Sequence, residues 1–219
     1  YAGHFPQGSF QRYFSRIPMD FLQPYAEEFL RFSTNYLAHR FDLLGSGHVE
    51  VRHGLGVVAD RNGQWLEGRI NKSNLQESRR IWGLVDEEYI PIDWHLDFKS
   101  GYRWREDVWY KDIRYGYQKG VDVKVPWELS RMQHLPLLAW SFALADAGRE
   151  EFEKPQAYLR KFRNEILDFI ATNPPRFGVN WACTMDAAIR VSNWLAAYDL
   201  FKAYGAEFDA EFEKVFFRS

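Results

Sequence analysis

Apolar residues recur at helical spacing in several separated stretches of this chain. The first is residues 18–41, "PMDFLQPYAEEFLRFSTNYLAHRF", where Phe21, Leu22, Tyr25, Phe29, Phe32, Tyr36 and Leu37 fall on one side of a helix. Pro24 lies near its start, where proline is tolerated. Gly45 and Gly47 in "LLGSGHVE" then break it. Residues 48–107 show no sustained period. "HVEVRHGLGVVAD" alternates like a strand but is weakened by glycines, and "YIPIDWHLDFKSGYRW" mixes Trp, Asp and Gly. Short strands and turns wrapping a helical body are the expectation for this part.

From about residue 108 the pattern is helical. "PWELSRMQHLPLLAWSFALADA" opens with Pro126, suited to a helix N-terminus, and places Glu128 in the first turn near the positive dipole end. Pro136 is expected to kink or divide this helix. "KPQAYLRKFRNEILDFIATNPP" gathers Tyr158, Leu159, Phe162, Ile166, Phe169 and Ile170 on one side and stops at Asn173-Pro174-Pro175. "GVNWACTMDAAIRVSNWLAAYDLF" reads as one long helix, and a last amphipathic segment follows. The spacing predicts helices over most of 127–145, 155–171 and 181–204. The division is an N-terminal helix with an irregular region at 1–107, then a helical portion at 108–219. Short loops between antiparallel helices imply helix-on-helix packing in a mainly α protein.

Composition narrows the function. No stretch reaches the roughly 20 apolar residues of a membrane span. A net charge of −2 leaves no footprint for nucleic acid. The single cysteine, Cys183, excludes an internal disulfide framework and a cysteine zinc cluster. Aromatic residues reach 18%, mostly a demand of the core, but their flat faces also suit the C–H face of a sugar. The chain begins at Tyr1 and stops within a helical pattern, so it is expected to be a piece of a longer protein.

The candidate chemistry lies in two polar lines. Asp186, Arg190 and Asn193 share one helical face, opposite Met185, Ile189, Ser192, Leu195 and Ala196, which are expected to face the core. Glu128, Arg131 and His134 recur every three residues in the preceding helix. These lines are either ordinary ion pairs, worth little when exposed, or the facing walls of a polar cleft. Asp93, His95 and Asp97 alternate, and if extended would point one way. They fit a structural polar cluster better than a metal site. Gly54 and Gly56 lack the rest of a phosphate loop, and no serine elbow or paired catalytic carboxylates are present. No metal or cofactor is expected.

Four motifs in order add a resemblance: "HRFDLLGSG", "IDWHLDFKSGYRW", "DVKVPWELSRMQHLPLLAWSFAL" and "NPPRFGVNWACTMDAAIRVSNWLAAYDLF". Across most of residues 35–205 the chain resembles the N-terminal region of the heparinase II/III family of polysaccharide lyases. The resemblance implies an incomplete (α/α) toroid of helical hairpins, joined in complete members to a β-sandwich. It implies acidic, uronic-acid-containing polysaccharides as substrates, cleaved by β-elimination, and a periplasmic or secreted location. Such chemistry needs a group that neutralises the uronate carboxylate and a Tyr or His for proton transfer. The family's Asn-His-Tyr-like and Ser-Tyr-His-like motifs do not occur: neither "NH" nor "SYH" is in the chain. Asn180 is therefore read as a structural or subsite residue. The substrate-contacting candidates are Trp127, Glu128, Arg131, His134, Asn180, Trp181, Asp186 and Arg190. The expected partners are an acidic polysaccharide and the remaining toroid helices and β-sandwich of a parent chain, so the chain alone is expected to be inactive. Two other readings stay open: a non-catalytic helical glycan-binding or scaffold module, and an (α/α)-toroid glycoside hydrolase, which would need two carboxylates flanking the scissile bond.

Overall fold

A computed structural model describes residues 14–54, 60 and 62–218. Gly56 and the rest of the alternation at 55–59 lie outside these residues. The first apolar stretch forms α1 (Met19–Leu22), a 3-10 turn at Gln23–Tyr25 and α2 (Ala26–Leu37). The tighter turn contains Pro24 and shifts the helical phase, so Phe21 and Tyr25 are exposed rather than part of one apolar stripe. The helix ends at Leu37, short of the expected residue 41. His39 takes a left-handed φ of 55°, and Arg40–Asp42 become strand β1. This strand pairs antiparallel with β2 (His48–Glu50), Phe41 opposite Val49, and delivers Phe41 into the core. Asp42 Oδ1 accepts the Gly47 N–H at 3.0 Å and closes the turn.

The middle of the chain is irregular, as its pattern predicts, with one addition. Helix α3 (Leu75–Trp82) forms in "LQESRRIW", too short and polar to stand out by period. Its Ile81 and Trp82 are buried, and Glu77 pairs with Arg80 one turn on. Strands β3 (Leu96–Asp97) and β4 (Tyr102–Arg103) make a second two-stranded sheet, Leu96 opposite Arg103.

Residues 108–123 are turns rather than helix. Regular structure resumes in α4 (Lys124–Ser130), α5 (Leu135–Asp146), α6 (Pro155–Thr172), α7 (Thr184–Ala203) and α8 (Ala210–Phe216), with a 3-10 turn at Val179–Trp181. The expected helix over 127–145 is divided, but ahead of Pro136. Met132 adopts φ 52° between α4 and α5, and Pro136 occupies the first turn of α5, where its missing N–H costs nothing. Helix α5 is apolar on every side and packs on α2, α6 and α7; α6 packs also on α3 and α8.

The apolar faces of the last segment, Phe208, Phe212 and Phe216, are expected from the sequence to be exposed, and the Met185–Leu195 face of α7 to be buried; the structure reverses both. Phe212 and Phe216 of α8 are buried and Phe208 is half-buried. They form an aromatic cluster with Phe162, Trp194 and Tyr198 at ring separations of 5.0–6.3 Å. Gly205, at φ 87°, turns the chain back, and Asp209 caps α8 by accepting the Phe212 N–H at 2.9 Å. In α7 the face expected inside is outside: Met185 is 57% exposed, and Val191, Ser192 and Leu195 are exposed. Asp186, Arg190, Trp194, Ala197 and Phe201 form the buried line instead.

Truncating Phe212 to alanine empties the centre of the aromatic cluster and is expected to cost about 3–5 kcal/mol. Leu195→Ala is expected to cost under about 1 kcal/mol. Urea denaturation of the two variants checks the contrast; equal losses would contradict the burial assigned to these faces.

Candidate functional site

The break between α4 and α5 exposes backbone that must be satisfied, and the polar face of α7 does this. Arg190 donates to Ser130 O at 3.3 Å and to Asn180 O at 3.1 Å. Ser130 closes α4, where carbonyls lack helical partners and a cation is favoured. The Arg190 guanidinium also lies 4.3 Å from the Phe169 ring centroid and 5.2 Å from that of Trp181. Burial pulls its pKa down to about 10, against the pull of nearby Asp186. Arg131 donates to Asp186 Oδ1 at 2.6 Å and also pairs with Glu128. Asn193 donates to Arg131 O at 2.8 Å, and Trp194 Nε1 points at Met132 Sδ at 2.8 Å. Asn180 donates to Trp94 O at 2.9 Å and to Asn173 Oδ1 at 2.8 Å. The two polar lines thus meet in direct contact rather than across a cleft. Asn180, Asp186 and Arg190 are buried within this latch. Trp127, Glu128, Arg131 and Trp181 are half-buried around it.

His134 leaves this group. Following the break at Met132, it sits at the start of α5 and places Nε2 2.6 Å from Glu165 Oε2. The other oxygen, Oε1, is 3.0 Å from Lys161 Nζ, and both α6 residues are buried. Burial opposes a charge on Glu165, but Lys161 and His134 hold its pKa down to about 2. Burial lowers Lys161 against the pull of Glu165, and lowers His39 well below the ordinary value with help from Lys161. One turn further along α6, Asp168 Oδ2 accepts from Tyr89 Oη at 3.0 Å, Ile92 N at 2.9 Å and Trp94 Nε1 at 3.1 Å. Its Oδ1 has no hydrogen-bond partner among the described residues, and burial pushes its pKa up to about 7.

Two clefts flank this charged row. One of about 290 Å³ is bordered by Tyr36, Phe41, Asp42, Glu128, Gln133 and His134. The other, about 580 Å³, is bordered by His39, Arg52, Glu88, Arg160, Lys161 and Asn164. No signal in the sequence marked Glu165 or Lys161 beyond their i, i+4 spacing in an otherwise amphipathic helix.

A third feature is the turn-rich segment from β4 to α4. Tyr117 is 65% exposed and Tyr115 46% exposed. The Tyr102 and Tyr117 hydroxyls lie 3.4 Å apart, and the Tyr115 and Trp127 ring centroids 5.3 Å apart. The exposed cations Lys111, Arg114, Lys119 and Lys124 lie along the same segment, free of ion pairs among the described residues. Trp127 Nε1 donates to Val179 O at 2.9 Å, and Trp109 bridges to Phe177, so the segment is tied to the turn that precedes α7.

Asp93, His95 and Asp97 are all buried but serve different partners. Asp93 accepts from Arg103 Nε at 2.8 Å, and Asp97 accepts from Ser100 and from Asp122 N. Burial lowers His95 to about 4. A Cβ at Gly178 would lie 2.5 Å from His95 Nε2, and its φ is 81°, so only glycine fits there. No group of three or more His, Cys, Asp or Glu side chains suited to a metal ion exists among the described residues. Comparison of the chain with family models, with curated proteins and with solved structures found no match.

Arg131→Ala leaves Asp186 buried without its cation and is expected to cost about 3–5 kcal/mol, read by denaturant unfolding. A loss near zero would mean that the latch does not hold α4 to α7. The raised Asp168 has its own signature. In the fold it keeps its proton until about pH 7, whereas the unfolded chain loses it near the ordinary value of about 4. Stability from this group therefore falls as pH rises across that window. Asp168→Asn is expected to flatten that slope, measured as unfolding free energy against pH.

Proposed function

We propose that this chain binds acidic polysaccharide through the aromatic, cation-bearing segment 102–127. It does so as the helical, toroid part of a lyase for uronic-acid glycans, and it does not carry out β-elimination by itself. The observation that carries the reading is that exposed Tyr115 and Tyr117 share one segment with four exposed cations that form no ion pair among the described residues. Rings offer a stacking surface for sugar C–H faces, and lysine and arginine offer charge to carboxylates or sulfates. The ordered motif resemblance supports the same substrate class, and the helix-on-helix packing of α5, α6 and α7 is compatible with a toroid segment.

Elimination requires removal of the C5 proton beside a neutralised carboxylate, with a proton delivered to the leaving oxygen. The Asn and Arg best suited to neutralise that carboxylate, Asn180 and Arg190, are buried and bonded to backbone carbonyls. The remaining groups of the reaction would come from further toroid helices and a β-sandwich in a parent chain. The burial of Asn180, Asp186 and Arg190 equally favours a second reading, a non-catalytic glycan-binding module. Both readings share the binding surface.

Calorimetric titration with heparan sulfate, hyaluronan and alginate tests the surface. Binding is expected to weaken steeply with salt, because exposed charges are screened. Tyr117→Ala is expected to reduce affinity about tenfold, or ~1.4 kcal/mol. Ultraviolet absorbance from an unsaturated uronate product is expected to stay at baseline. Absence of binding at low salt, or affinity for neutral glucans equal to that for these polymers, would overturn the reading.

A further inference from the structure

We propose that the cleft at His134 is a binding site for a small hydroxyl-rich ligand of single-sugar size, whose hydroxyl groups donate to His134 Nδ1 and to the carboxylates of Asp42 and Glu128. This site is separate from the aromatic segment and does not depend on its reading.

The imidazole of His134 is oriented by its neighbours. The ring's hydrogen bond runs from Nε2 to Glu165 Oε2 at 2.6 Å, and Glu165 is enclosed within the fold. An ionised carboxylate only accepts, so the shared proton belongs to Nε2. That fixes the tautomer: in the neutral ring Nδ1 carries a lone pair and is the nitrogen left for a ligand. His134 is more than nine-tenths buried and borders the cleft. Its ring is held between Phe41 and Tyr36, with centroids 5.0 and 5.1 Å away. Lys161 grips the far oxygen of Glu165, so the carboxylate that orients the ring is itself fixed.

The rest of the cleft favours acceptors. Asp42 uses one oxygen on the Gly47 N–H, and Glu128 uses one on Arg131. Each carboxylate retains lone pairs for further donors. Gln133 and Tyr36 can donate or accept, and Phe41 and Leu129 supply apolar wall. A volume of about 290 Å³ suits a single ring rather than a polymer. Two carboxylates at the rim repel anions, so the fitting ligand is a neutral polyol or sugar rather than a sugar acid.

The test is a long-range proton–nitrogen NMR spectrum of the whole chain with labelled histidine, during titration with methyl β-glucoside and, separately, with glucuronate. The His134 resonance is assigned from its loss in His134→Gln, or, if that variant does not fold, from its proximity to the Tyr36 and Phe41 ring protons. The expected result is an Nε2-protonated His134 whose Nδ1 resonance moves with methyl β-glucoside and moves less with glucuronate. Asp42→Ala and Gln133→Ala, both at exposed positions, are expected to weaken the neutral sugar about tenfold. An Nδ1-protonated ring, a resonance that no sugar moves, equal response to glucuronate, or wild-type affinity in both variants would each overturn the proposal.

Discussion

Helix α5 has no polar face, and the rest of the structure follows from the need to enclose it. Its sequence, "LPLLAWSFALAD", gives water no side to lie against, so α2, α6 and α7 cover it. Its titratable groups stand at its ends, with His134 at the start and Asp146 at the finish. The same enclosure draws α6 inward, because α3 and α8 pack on its remaining sides. Lys161, Glu165 and Asp168 then lie where charge is expensive, and each must be matched or neutralised internally. Lys161 and His134 settle Glu165 as an anion, whereas Asp168 is met by the neutral donors Tyr89, Ile92 and Trp94 and holds its proton to higher pH.

The latch at Arg190 answers a different demand. A left-handed residue at Met132 leaves the end of α4 without helical continuation, and its carbonyls need donors. A guanidinium can serve two carbonyls from separate segments while its flat faces rest on Phe169 and Trp181. A lysine, a single point charge, could not stack in the same way. Asp186 does not pair with Arg190 in spite of the i, i+4 spacing. It turns to Arg131 instead, so one carboxylate and two arginines join α4, α7 and the turn at 179–181.

How much of this was legible depends on what kind of signal each element carries. Helix α6 was read almost to the residue because Pro155 and Asn173-Pro174-Pro175 bracket it chemically. The existence of α7 was equally plain from its composition, but its orientation was not. Periodicity separates two faces without saying which one is buried, and a face of Asp, Arg and Asn reads by default as solvated. What overrides that default is the demand of the α4 terminus, a tertiary fact. Helix α1 failed in phase rather than type, because the 3-10 turn around Pro24 rotates Phe21 and Tyr25 out of the stripe. The polar pair Glu165–Lys161 could not be recognised because its helix carries charges on its other faces too. Glu128, Arg131 and His134 formed a line only on the assumption of one continuous helix, and the break at Met132 sends the third member to Glu165.

Aromatic content alone could not divide core rings from surface rings; their placement in the fold does. Trp82 donates to Asp60 O and Trp94 to Asp168, and both are enclosed with their N–H groups satisfied. Tyr115 and Tyr117 lie instead on a segment without regular structure, whose placement comes from elsewhere. Trp127 anchors it to Val179 O, and Trp109 anchors it to Phe177. Both anchors lead to the stretch ahead of α7, and Arg190 holds that stretch through Asn180 O. The exposed rings therefore depend on a guanidinium that never meets them. Loosening Arg190 would free the turn at 179–181, and with it the spacing of the rings that the segment presents. The polar residues of α7 act on the surface through this chain of contacts, from the buried side of the helix.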